Sequence, residues 1–320
     1  MIVFSGALYP GEPGKKARTY NNPVVPVSLP DPTVIKADDG FFYLYATENT
    51  RNTPIYKSTD LVNWSFVGTA FTNSTRPVFE PGGGIWAPDI NYINGKYVLY
   101  YSMSKWGGEW TCGIGVAISD KPVGPFTDQG ILFRSSDIDV QNSIDQFYIE
   151  DNGKKYLFWG SFHGIYAIEL SDDGLAVKPG STKTRVAGTA YEATYVYKKG
   201  KFYYLFCSAG TCCEGVKSTY RVVVGRSAYL MGPYLDKSGQ SMSDNHHETI
   251  ISGNDRFRGP GHNAEIIRDD RGKTWILYHA VDRDNPKGRQ LMLSEIKWEK
   301  GWPVIDGGTP SPVGTVPYFK

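Results

Sequence analysis

The chain carries almost no net charge: 34 Lys and Arg stand against 33 Asp and Glu, a formal balance of +1, with no long run of one sign. That argues against a nucleic-acid or anionic-membrane partner, both of which call for a basic face. Long apolar runs are missing too. The longest fall far short of the ~20 residues needed to span a bilayer, so the chain reads as soluble. Cysteine is scarce. Cys112, Cys207, Cys212 and Cys213 include no second spaced pair, and "TCCEG" has no histidine beside it, which excludes a zinc site of ordinary spacing. Buried thiols are the expectation, with a disulfide left open. No segment shows an amphipathic helical period. The amino terminus, "MIVFSGALYPGEPGKKARTYNNP", lacks the apolar stretch and charge placement of a secretory signal. The expectation is a secreted or periplasmic protein whose signal is absent from this sequence, with a cytoplasmic location as the alternative.

Aromatic residues, by contrast, make up 14% of the chain, with 22 Tyr and 8 Trp, and Gly (36) and Pro (20) are plentiful. This composition favours short aromatic-rich strands joined by tight turns. A weak repeat organises them, recurring at roughly 45 to 70 residues. Its copies are "DPTVIKADDGFFYLYAT", "APDINYINGKYVLYYSM", "SIDQFYIEDNGKKYLFWGS", "EATYVYKKGKFYYLFCS" and "GHNAEIIRDDRGKTWILYHA". Each begins with polar residues, runs into a strand, turns at "DDG", "NG", "DNG", "KKG" or "DDRG", and returns as an aromatic strand. A third and a fourth strand pattern follow each hairpin. Five four-stranded antiparallel units around an axis predict an all-β, five-bladed propeller in one domain. Residues 29–320 are assigned to the propeller and 1–28 to a rim or closure segment.

In a propeller the innermost strands line the axis, so the starts of the repeats should face one space. Those starts carry Asp31, Asp89, Asp145, Glu192 and the cluster His262, Asn263 and Glu265. Any one of these acids is adequately explained as a turn cap. Crowded together, carboxylates push their pKa values apart and separate an acid from a base, as glycoside hydrolysis requires.

At these residues the chain resembles glycoside hydrolase family 43, and most of all its arabinan-degrading members. "LPDPTVI" is similar to the first-blade motif, which implies Asp31 as general base. "SIDQFYIEDNGKKYL" is similar to the third-blade motif, implying Asp145 as the residue that tunes and orients the acid. "YEATYVYKKGKFYYLF" is similar to the fourth-blade motif, implying Glu192 as general acid. Two departures stand out: Gln146 where many members have Pro, and Ala193-Thr194 in place of Gly-Pro or Ala-Pro. Both bear on local backbone geometry. The prolines flanking Asp31 are expected to hold it in extended backbone.

The resemblance implies an inverting hydrolase cleaving α-1,5-linked L-arabinofuranosyl bonds of arabinan or arabino-oligosaccharides. A β-xylosidase or bifunctional xylosidase/arabinofuranosidase, and a non-catalytic sugar-binding propeller, are the alternatives. "GIWAPDINYINGKYVLYYS" implies Trp86 as a stacking platform in the sugar cleft, with a core Trp at a blade start the equal alternative, and Asp89 as a structural or subsite residue; "GSFHGIYAIEL" implies Phe162 and His163 near the cleft. Arg289 in "KGRQLMLSE" is a further candidate for a sugar hydroxyl, although surface pairing is the plainer reading. "GPGHNAEIIRDD" implies an axial calcium or sodium ion at His262, held mostly through waters. A monomer is expected.

Overall fold

The computed structural model describes residues 18–320, and its regular elements are almost all strands. Five antiparallel sheets form the blades of a propeller. Blade I comprises Thr33–Lys36, Phe42–Tyr45, Pro54–Ser58 and Ser65–Thr69, and blade II comprises Gly84–Ile93, Lys96–Ser104, Gly113–Ser119 and Thr127–Arg134. Blade III runs Phe147–Asp151, Lys154–Trp159, Ile165–Glu169 and Thr184–Ala187; blade IV runs Tyr191–Lys199, Phe202–Ala209, Arg221–Ser227 and Glu248–Ile251. In blade V the inner strand is broken into Phe257–Gly261 and Ile266–Arg268, followed by Thr274–Asp282 and Gln290–Glu299. Its outer position is shared: Val25–Ser28 pairs with the start of Gln290–Glu299 and Trp302–Val304 with its end. A strand from the amino-terminal side thus completes the last blade, and Thr19–Asn21 pairs with Val313–Thr315 beside it. The part of the expected rim segment before residue 18 lies outside the described residues.

The hairpins form where the turn chemistry put them. Asn94-Gly95 and Asn152-Gly153 have positive φ at both central residues, the geometry that matches the right-handed twist of the strands they join. The apolar faces of these strands pack mainly between neighbouring blades. One cluster joins blades I and II, another II and III, and a third, including Tyr20, Val25 and Leu29, joins V and I. Aromatic pairs bridge the blade interfaces, such as Tyr100–Tyr148 with centroids 5.8 Å apart and Phe147–Tyr195 at 4.9 Å.

Every inner strand is kinked: just before the strand at Asp31 and Asp145, inside it at Ala87 and Ala193, and at the break in blade V at His262. Asp31, Ala87, Asp145, Ala193 and His262, one per blade, all have φ between 39° and 59°. Left-handed backbone costs a non-glycine residue about 1–2 kcal/mol. In each case the residue's own N–H is held by a side chain of the preceding blade. Asp31 donates to His279 Nδ1 (3.1 Å), Ala87 to Thr47 Oγ1 (2.7 Å), Asp145 to Ser102 Oγ (3.0 Å), Ala193 to Asp145 Oδ2 (3.2 Å) and His262 to Ser208 Oγ (2.8 Å). The expectation of extended backbone at Asp31 is therefore corrected. Pro30 and Pro32 flank a left-handed residue, whose conformation is fixed by blade V rather than by the prolines.

Candidate active site

The kinks aim side chains into a cavity of about 330 Å³ on one face of the disc. Asp31, Asp145 and Glu192 line it, together with Trp86, Phe162, His262 and Arg289. The three carboxyl residues are each only 7% exposed, so their electrostatics are those of buried groups that still face solvent on one side.

Asp31 accepts from Thr47 Oγ1 at 2.6 Å and from Arg289 Nη1 at 2.7 Å. Burial opposes its ionisation, but the Arg289 guanidinium, first among its charged neighbours, holds the carboxyl well below the usual range, with the Thr47 hydroxyl a smaller help. Two histidines also approach. His262 Nδ1 lies 3.3 Å from Asp31 Oδ1 and 3.9 Å from Asp145 Oδ2, yet burial pushes its pKa down to about 4, so the ring is neutral near pH 7. His279 is wholly buried and its pKa is driven well below normal by burial and then by Arg289. Its Nδ1 accepts the Asp31 N–H, so the proton sits on Nε2 and the 3.4 Å approach to Asp31 Oδ1 is no ion pair. Arg289 is the cation that keeps Asp31 ionised.

Glu192 and Asp145 are pushed the other way. Burial raises Glu192, with the Asp31 charge adding to it, against donation from Ser161 Oγ and Tyr220 Oη, each at 2.6 Å. Asp145 is raised further, by burial first and then by the charges of Glu192 and Asp31, with only the Ala193 N–H donating to its carboxylate. Two such groups behave as one unit that retains a proton where Asp31 does not.

The two departures from the family motifs have structural partners. Gln146 donates from Nε2 to Ala87 O at 2.6 Å and accepts from Ser102 Oγ at 2.8 Å, linking blades II and III. Thr194 Oγ1 donates to Asp145 O at 3.0 Å, linking III and IV.

Among the expected sugar contacts, Trp86 and Phe162 line the cleft. Asp89 does not. It is buried beneath, in a small axial cavity with Glu265, where its Oδ2 accepts from Tyr148 N at 2.7 Å and Asn91 Nδ2 at 2.9 Å. His163 stands at the rim, 3.5 Å from Glu109, instead of on the cleft wall. Arg289 faces the cleft, but its guanidinium is committed to Asp31. Sequence reasoning missed Trp106, which is 80% exposed, lines the cleft, and has its ring 5.6 Å from that of Trp86. It also missed Thr47, Ser161 and Tyr220, which sit beside strand ends with nothing local to distinguish them from turn polar residues, and it gave no role to His279, which lies inside the buried strand Thr274–Asp282.

Residues 20–303 match the model of the glycosyl hydrolases family 43. The chain belongs to that family. Among curated relatives of this family 43 member is the extracellular endo-alpha-(1->5)-L-arabinanase 1 of Bacillus subtilis, 36% identical over 86% of this chain and 87% of the relative. Another is the extracellular exo-alpha-(1->5)-L-arabinofuranosidase of Cellvibrio japonicus, 33% identical over 88% and 87%. Among solved structures, an alpha-L-arabinanase of Cellvibrio cellulosa complexed with arabinohexaose superposes with a TM-score of 0.79 at 32% identity, covering 88% of this chain and 96% of the other. Family 43 membership makes the chain a glycoside hydrolase.

The axial ion that the family resemblance implies can be tested against the donors present. Asn263 Oδ1 is buried without a hydrogen-bond partner and its residue lines the axial cavity, as do His262, Asp89 and Glu265. Oxygen donors suit a hard cation. Among the described residues no three His, Cys, Asp or Glu side chains are grouped to grip a metal directly, so any ion there would keep several waters.

Proposed function

We propose that the chain hydrolyses α-1,5-linked L-arabinofuranosyl bonds of arabinan and arabino-oligosaccharides in a single displacement that inverts the anomeric centre. The observation that carries the chemistry is the split among three carboxyls of one cleft: Asp31 is held ionised by Arg289, whereas Asp145 and Glu192 are pushed toward the protonated form. An ionised carboxylate is a base for water, and a raised one is an acid for a leaving oxygen.

Asp31 takes a proton from a water as that water attacks the anomeric carbon. Glu192 protonates the glycosidic oxygen as the bond breaks. Asp145 shares charge with Glu192, keeping a proton available, and its hydrogen bond from Ala193 N–H fixes the backbone beside the acid. Trp86 and Trp106 offer apolar faces to sugar rings. The substrate assignment rests on the arabinan-degrading relatives from Bacillus subtilis and Cellvibrio japonicus, which are extracellular enzymes, and we place this protein outside the cytoplasm with them. A hydrated cation near His262 would supply positive charge beneath the carboxylates.

The test is hydrolysis of linear arabinan beside an aryl α-L-arabinofuranoside with a good leaving group. Glu192→Gln is expected to lose about 10²–10⁴-fold on arabinan and far less on the aryl glycoside, which needs little acid assistance. Wild-type protein that binds arabinan without cleaving it would sink the enzymatic reading.

A further inference from the structure

Cys212 and Cys213, adjacent in the chain, are joined by a disulfide. The other two cysteines, Cys112 and Cys207, are free and buried in the core. Cys213 is exposed and Cys212 half-buried, and both line the cavity that holds the three carboxyl residues. Cys213 also lines a second cavity of about 420 Å³ on the same face. Among the described residues, Thr47, Trp106, Cys213 and Arg289 border both cavities. Two of these, Thr47 and Arg289, hold Asp31, so the wall shared by the cavities lies beside the proposed base.

A disulfide between neighbours closes a small ring through their shared peptide bond, and the side of that ring formed by the sulfurs carries no N–H or O–H. It presents two polarisable sulfurs, which gain dispersion contact from C–H groups and ask for no hydrogen bond in return. The loop beneath is well tied. Thr211 N donates to Thr219 Oγ1 at 3.0 Å and Ser218 Oγ to Thr211 O at 2.6 Å. Immediately after it, Tyr220 donates to Glu192 at 2.6 Å. The sulfurs therefore sit on a loop whose two ends are hydrogen-bonded together, on the wall of the cavity that also holds the acid.

We propose that the Cys212–Cys213 disulfide is a substrate-binding platform, on which the apolar C–H face of a furanose ring rests where the two cavities meet. This rests on the proposed arabinan hydrolysis and adds to it a contact that the catalytic carboxyls do not require. A disulfide that merely braced the loop would be indifferent to sugar.

The experiment reads the sulfurs directly. Glu192→Gln protein is exposed to dithiothreitol with or without saturating arabinohexaose, and with maltohexaose as control. The reductant passes two electrons and two protons to the cysteine sulfurs and becomes its own cyclic disulfide. The freed thiols are then alkylated and counted by mass spectrometry on the peptide carrying Cys212 and Cys213. Arabinohexaose should slow reduction at least about fivefold, because a ring seated on the sulfurs blocks in-line attack by thiolate, and maltohexaose should leave the rate unchanged. Reduction at an unchanged rate, with arabinohexaose binding verified by calorimetry, overturns the platform and leaves the hydrolase reading intact. If wild type neither binds nor cleaves arabinan, both fall. In a second measurement, Cys212→Ser/Cys213→Ser should bind arabinohexaose about tenfold more weakly, the loss expected from one or two C–H groups deprived of an apolar partner. Wild-type affinity in that variant also overturns the platform. Should the variant not fold, the reduction experiment on the intact disulfide still decides.

Discussion

Asp31, Asp145 and Glu192 share a cleft and a degree of burial, so their different tasks must come from their partners. Asp31 has a guanidinium at 2.7 Å; Glu192 has two hydroxyls, and Asp145 one backbone N–H. Mutual repulsion between the last two raises the pH at which their final proton leaves. Asp145→Asn removes one of the repelling charges. The alkaline limb of the kcat/KM profile should then move to lower pH, and kcat on arabinan should fall about 10²-fold. A pH profile whose alkaline limb stays in place would show that Asp145 does not set the acid's proton affinity. The acid limb belongs to Asp31, whose depressed pKa keeps it ionised as pH falls, so that limb should be the same in wild type and Asp145→Asn.

Among elements, the hairpins were legible because their turns are local. Asn-Gly pairs can be read without knowing what surrounds them. The kinks of the inner strands were not legible, since five different residues adopt the same left-handed backbone and none is glycine. Each is stabilised by an acceptor on another blade, and for Asp31 that acceptor is His279, 248 residues away. The ring closure has the same character. Asn22 donates to Leu293 O and Ser311 O and accepts from Leu293 N, each at 2.9 Å and with the side chain buried. Asn22→Ala leaves these backbone groups without their partner. It should cost about 3 kcal/mol and lower the melting temperature by about 6 °C, measured by thermal denaturation. A change within 1 °C would show that the amino-terminal segment contributes little to closing the ring.

At the scale of the whole molecule, five apolar interfaces converge on an axis that is itself polar. Asp89 lies there buried, with the half-buried Glu265 adjacent and raised to about 7 by burial above all. Such a concentration of acidic groups below the cleft gives a bound cation something to neutralise. Chelator treatment followed by exchange into sodium-free buffer should lower both melting temperature and activity, and added calcium should restore them. If neither quantity changes, no axial ion supports this protein. The same convergence brings Trp86 and Trp106 together at the cleft mouth, although nothing in the residues around Trp106 marks it as a sugar contact.

By itself the sequence determined the repeat, the number of blades and the order of Asp31, Asp145 and Glu192 along the chain, because turn chemistry and strand alternation act over a few residues. Only the tertiary structure decided which acids share a cleft. It moved Asp89 down to the axis and His163 out to the rim, turned Arg289 from a sugar contact into the counter-ion of Asp31, and set an exposed disulfide beside the acid's own loop. Those outcomes depend on contacts between blades far apart in the chain, whose charges, burial and hydrogen bonds exist only once the ring has closed.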